Sequence, residues 1–140
     1  MSPGHIPAAL RRLVHERADG RCEYCLIPEL TTLVAHEVDH VIAQKHGGAT
    51  QPENLALSCA VCNKYKGSDL ASIDPESGRL EPLFHPRLHR WREHFELDGA
   101  ILRPRTAIGR VTVRLLQINH SYRIVEREVL VAAGLLVPPA

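Results

Sequence analysis

The chain is 140 residues long, 44% hydrophobic and 24% charged, with a formal net charge of +1. Those proportions fit one compact globular unit with a real core and a small helical appendage, and they exclude a disordered chain. No apolar run is long enough to span a bilayer, and Met1 to Pro7 lacks the basic flank and apolar stretch of a secretory signal, so a reducing cytoplasm is expected.

Behind Pro7, a good first-turn residue, Leu10, Leu13 and Val14 recur at helical spacing. Ala8 to Ala18 is therefore expected to form a short amphipathic helix stopped by Asp19-Gly20. Arg21 to Pro28 holds a first cysteine pair in a turn, and Thr31 to Ile42 is rich in β-branched residues, which suits a strand or hairpin. Gly47-Gly48 and Pro52 mark Lys45 to Glu53 as a loop, in which Thr50 and Glu53 have the spacing of a capping box over one short turn. Leu55 to Ser58 reads as a second short strand and Ala60 to Ala71 as a helix.

Further on, Ile73 to Pro86 contains Asp74-Pro75, Ser77-Gly78 and two more prolines and reads as an irregular linker. Leu88 to Phe95 suits a short helix, and Phe95 to Arg103 a hairpin around Asp98-Gly99. Thr106 can cap a helix running to about Ile118, and a last helix from Ser121 to Ala133 ends at Gly134. Between Arg79 and Arg127 there are ten arginines, no lysine and five acids. That excess could face a phosphate backbone or simply form a solvated surface.

Four cysteines form two pairs of identical internal spacing, Cys22 with Cys25 and Cys59 with Cys62. Two residues between thiolates let both sulfurs converge on one tetrahedral ion, so one zinc held by all four is expected. In a reducing compartment two disulfides are disfavoured, and paired spacing disfavours free core thiols. Four thiolates close the coordination sphere, which gives this zinc a structural role. The gap between the pairs, 33 residues, is longer than a common zinc ribbon needs, so something useful should lie inside it.

Inside it stand His36-Glu37-Val38-Asp39-His40-Val41-Ile42, then Gly47-Gly48, then Asn54-Leu55, and the second pair runs into Asn63, Lys64 and Lys66. In order and spacing, from about Arg21 to Ser68, this set resembles the HNH endonuclease family, whose active site is a ββα metal finger. Phosphodiester hydrolysis needs an activated water, a cation that neutralises charge building on the phosphate, and a stabilised leaving oxygen. Histidine titrates near neutrality and can accept a proton from water, while Asp39 and Asn63 offer hard oxygen ligands.

The resemblance implies that His40 is the general base, that Asp39 and Asn63 hold a catalytic Mg²⁺ or Mn²⁺, and that Asn54 steadies the loop and the histidine. It further implies DNA as the partner and 5′-phosphate and 3′-hydroxyl products. Asn63 stands where many members have histidine, and an oxygen ligand leans toward the harder ions. Lys66, one helical turn beyond Asn63, is a plausible phosphate contact.

The expected fold is α+β: a ββα finger stapled by the four-cysteine zinc, with an N-terminal helix and a C-terminal hairpin plus helices. It divides into a nuclease core over 1–72 and an extension over 73–140 packed on that core. Neighbouring strand residues point to opposite faces, so the strand must end, bend or bulge at Asp39-His40 for both to reach one site. His36 reads as a partly exposed strand histidine and Glu37 as a solvated charge or an auxiliary ligand. His46 is expected to be exposed, and His85, His89 and His94 suit packing or phosphate contact better than a second metal site. The alternative function is a zinc-stabilised nucleic-acid-binding module without catalysis.

Overall fold

Pro7, with φ −58°, leads the backbone into α1 (Ala8–Arg17), and the helix stops where Asp19 and Gly20 take positive φ. The computed structural model describes residues 5–140, so the first four residues of the Met1 to Pro7 stretch lie outside the described residues. Val14 is buried and Leu10 partly so, packed with Ile6, Ala18, Val38, Leu55 and Leu57 in a small satellite core. Leu13, expected on the same face, is 40% exposed. The inner face of α1 is narrower than its apolar spacing suggests.

Of the expected strand from Thr31 to Ile42, only β1 (Glu37–His40) pairs; Glu29–Thr31 is a turn of 3-10 helix. β1 runs antiparallel to β2 (Leu55–Ser58), with Glu37 opposite Ser58 and His40 opposite Leu55. The outer edge of β2 is closed by side chains and a loop. Leu55 O accepts from Arg17 and Arg87, Leu57 N donates to the Glu23 carboxylate, and Leu57 O accepts from Glu23 N. A two-stranded ribbon that leaves an edge unpaired invites pairing with other chains, and these contacts prevent that.

α2 (Ala60–Lys66) starts on Cys59, whose sulfur accepts from Cys62 N, and ends at Gly67. It is shorter than the expected helix to Ala71, because Ala71–Ile73 is instead β3, antiparallel to β4 (Leu80–Pro82). The segment read as an irregular linker is thus a hairpin. Its turn is organised by Asp74, which accepts from Glu76 N, Ser77 N and Ser77 Oγ and is held from outside by Arg110. Turn composition is visible locally; the distant arginine that fixes the turn is not.

The remainder follows expectation closely: α3 (Trp91–His94), a hairpin of β5 (Phe95–Asp98) and β6 (Ile101–Pro104), α4 (Ala107–Leu115) and α5 (Ser121–Ala132). Thr106 caps α4 by accepting from Gly109 N, and Gly134 takes a left-handed φ just past α5. The main core joins both cysteine pairs to Phe84, Trp91, Phe95, Leu102, Leu116, Ile118 and Leu130. Trp91 Nε1 donates to Tyr24 O at 3.0 Å, tying α3 to the first cysteine turn. The architecture is α+β, with β1, β2 and α2 as its ββα unit. No helix among the described residues is long and apolar enough to cross a membrane.

Candidate active site and metal centre

The four cysteines are buried, and their sulfurs all lie within 4.8 Å of one another. Cys25 and Cys59 Sγ are 3.6 Å apart. A tetrahedral ion with metal–sulfur bonds of about 2.3 Å sets sulfurs at about 3.8 Å, so the cluster fits zinc. Leu26, at φ +73°, closes the first turn by donating its N–H to Cys22 O. Burial pushes the Cys22 and Cys62 thiols up, whereas hydrogen bonds from Cys22, Cys59 and Cys62 pull Cys25 well down.

A contact that the sequence does not announce comes from α5. Arg123, 3% exposed, places Nη2 3.1 Å from Cys62 Sγ and 3.8 Å from Cys59 Sγ. Burial disfavours this guanidinium, but the sulfurs of Cys62, Cys25 and Cys59 outweigh it and hold the charge on. Arg127 lies buried one turn on, donating to Ala100 O and Ile118 O. Two of the ten arginines expected to face solvent or phosphate therefore serve the interior, while Val125 and Val129 of the same helix are exposed.

The candidate catalytic residues gather on the seam between β1 and α2 and on the loop beside it. Alternation places Glu37 and Asp39 on one face of β1, and helical spacing places Asn63 and Lys66 on one face of α2. These faces meet. Asn63 Nδ2 donates to Glu37 Oε2, and Lys66 Nζ stands 2.9 Å from Asp39 Oδ2 and donates to His40 O at 3.3 Å. Burial raises the Asp39 pKa despite the opposing pull of Lys66.

Lys66, expected as a phosphate contact, has a side chain that is 2% exposed, with its ammonium against Asp39. Glu37, exposed at the surface, is bonded to Asn63 and is not a purely solvated charge. The donors on the seam are the oxygens of Asp39, Asn63 and Glu37, which are of the hard type that small divalent cations take, and the Lys66 ammonium neutralises the Asp39 carboxylate among them.

β1 stays regular through His40, which pairs with Leu55, and ends immediately after. The strand therefore ends at the Asp39-His40 pair, as expected. The His40 ring turns to the loop, where Nε2 lies 2.9 Å from Thr50 Oγ1; Nδ1 has no partner among the described residues. Spacing alone assigns Thr50 to a capping box, but the turn Pro52–Asn54 has Gln51 at its cap position and no side-chain cap. A threonine ten residues past a histidine carries no local signal of this contact.

Asn54 clamps the loop onto the strand end. Its Oδ1 accepts from Ile42 N, and Nδ2 donates to Ile42 O and Ala49 O, each at 2.9 Å. Gly48 permits that approach: a Cβ there would sit 1.7 Å from Ile42 O. His36 departs from its expected place, lying before the strand, 6% exposed, with Nε2 2.8 Å from Ile27 O. His46 is exposed, and His85, His89 and His94 form edge-on ring contacts around Phe84 and one another. Among the described residues the four cysteines are the one group of three or more histidine, cysteine or carboxylate side chains close enough together to hold a metal.

Compared with models of protein families, residues 22–69 match the HNH endonuclease family. No curated protein and no solved structure matches the chain.

Proposed function

We propose that this chain, which carries an HNH endonuclease domain over residues 22–69, is a metal-dependent nuclease that hydrolyses DNA phosphodiester bonds with His40 as general base. The observation that carries the reading is a partnerless imidazole nitrogen at the end of a strand whose preceding residues, with α2, present a cluster of hard oxygen donors. When Nε2–H donates to Thr50 Oγ1, the lone pair of His40 is left at Nδ1, free to take a proton from water. The oxygen of that water attacks phosphorus as the 3′ oxygen departs.

A divalent ion such as Mg²⁺ or Mn²⁺, held by Asp39 and Asn63 with Glu37 beside them, would neutralise charge on the phosphate and on the leaving oxygen. Lys66 keeps the Asp39 carboxylate ionised and fixed on the seam. Asn54 and Gly48 hold the loop that carries Thr50. The zinc, closed off by four thiolates, holds the fold and leaves no position for substrate.

The test is plasmid nicking by the zinc-loaded chain with Mg²⁺ or Mn²⁺ from about pH 6 to 9, a span that brackets histidine titration. Nicking is expected, and His40→Ala should abolish it while keeping the zinc and the fold. DNA binding without nicking under every condition would overturn the proposal in favour of a zinc-stabilised binding module.

A further inference from the structure

On the outer edge of the β1–β2 ribbon, between the end of α1, the first cysteine turn and the segment before α3, lies a cleft of about 750 Å³. Five arginines line it, Arg17, Arg21, Arg87, Arg90 and Arg92, against the side-chain carboxylates of Glu23 and Glu93, with Pro139 and Ala140 also in its wall. Arg17 and Arg21 lie four residues apart, and Arg87, Arg90 and Arg92 lie within one short stretch; the fold joins these two runs, which stand far apart in the chain. Two guanidinium groups are held head to head: Arg17 Nη2 at 2.7 Å and Arg87 Nη1 at 3.2 Å both donate to Leu55 O. Burial, and then the charge of Arg87, weakens the hold of Arg17 on its proton.

Glu23, bonded to Arg87, and Glu53, close to Arg17, are the carboxylates that offset that pair. Arg21 and Arg92 donate to the carbonyls of Val137 and Pro139, acceptors that satisfy N–H groups without cancelling charge, and Arg21 also stands 4.0 Å from the exposed carboxylate of Asp19. The Arg90 side chain is exposed and has no hydrogen-bond or ion-pair partner among the described residues. A concave, under-neutralised cluster of guanidinium groups concentrates positive potential and suits phosphate oxygens.

The position of the cleft adds direction. Leu55, whose carbonyl anchors Arg17 and Arg87, is the register partner of His40. Antiparallel partners lie about 5 Å apart at Cα, and a duplex rises about 3.4 Å per base along each strand. A strand with its reacting phosphate at His40 therefore passes the arginine pair within a few steps.

We propose that this cleft is a second contact site, which grips the phosphodiester backbone flanking the cleavage point through Arg87, Arg90 and Arg92, independently of the cation at the β1–α2 seam. The identity of the polyanion rests on the nuclease reading. The site itself rests on the charge and the geometry.

The test uses the zinc-loaded full chain with His40→Ala, a fluorescently labelled 20-base-pair duplex and no added Mg²⁺ or Mn²⁺, read by anisotropy from about 50 to 200 mM salt. Arg90→Glu with Arg92→Glu is compared with Arg103→Glu and Arg105→Glu, an equal charge change at exposed positions on the β5–β6 hairpin. The cleft reversal should raise Kd at least tenfold and flatten the slope of log K against log salt by about 2, near 0.9 per lost phosphate contact. The hairpin reversal should change Kd by less than about threefold. Equal losses from the two reversals, an unchanged slope, or no binding by the parent chain would overturn the cleft. Arginine-dependent binding by a chain that never nicks DNA would sink the nuclease reading and leave the cleft standing.

Discussion

Lys66 Nζ lies 2.9 Å from Oδ2 of Asp39, with 2% of the lysine side chain and 16% of the aspartate side chain exposed. This ion pair bridges β1 and α2 and includes Asp39, one of the proposed metal ligands. Removing one member of a buried pair strands the other charge, so Lys66→Met should cost about 3 kcal/mol in urea unfolding of the zinc-loaded protein. The double variant with Asp39→Asn should recover much of that loss. A Lys66→Met protein as stable as its parent would mean that the seam is wetter than its burial implies.

Thr50 acts through His40. Thr50→Val removes the acceptor at Nε2 and should lower the nicking rate by about 100-fold, the scale of a misplaced catalytic group. Thr50→Ser, which restores the hydroxyl, should recover most of the rate. Melting temperatures should stay close together across the three proteins, and the pH profile of Thr50→Val should shift with the loss of the fixed tautomer.

Gly48 and Gly47 make opposite demands. A Cβ at Gly48 would meet Ile42 O at 1.7 Å and Asn54 Nδ2 at 2.8 Å, whereas one at Gly47, at φ +90°, would meet open space. Gly48→Ala must push the loop off the strand end and break the Asn54 clamp, costing about 3 kcal/mol and most of the nicking activity. Gly47→Ala carries only backbone strain, about 1 kcal/mol. Thermal melts of the two variants distinguish close approach from backbone conformation.

Asp74 gives the fold an acid-sensitive tie. Arg110 holds both of its oxygens, at 2.8 and 2.9 Å, and these bonds set its pKa well below the usual carboxylate range. A depressed folded pKa contributes stability above the unfolded value of about 3.9 and loses it as pH falls further. The gap in melting temperature between the parent and Asp74→Asn should therefore be largest near neutrality and shrink below about pH 4. A gap that is constant with pH would assign the effect to packing.

Zinc removal should reach beyond the cysteine turns. Trp91 is the single tryptophan and packs in the same core as all four cysteines, so its fluorescence reports on that junction. The parent should contain one zinc per chain, and chelation should shift Trp91 emission to the red as the 84–136 region comes apart. Structural zinc contributes about 10–16 kcal/mol, as much as a whole domain's net stability. Unchanged emission after complete removal would show that the extension packs without the metal.

The order of cysteine pairs, Asp-His, Gly-Gly and Asn-Leu determined by itself that a metal-stapled finger lies between Cys22 and Lys66, because ligand spacing and turn chemistry are local properties. The hairpin at Asp98-Gly99 and the capped helix after Thr106 were legible for the same reason. What only the tertiary structure decided are pairings across long stretches of chain: Thr50 on His40, Lys66 on Asp39, Arg123 on Cys62, and Arg17 with Arg87 on Leu55. A charged side chain looks the same in sequence whether it faces solvent or a buried partner. The choice is made by which elements the core brings together, and local patterning does not encode that.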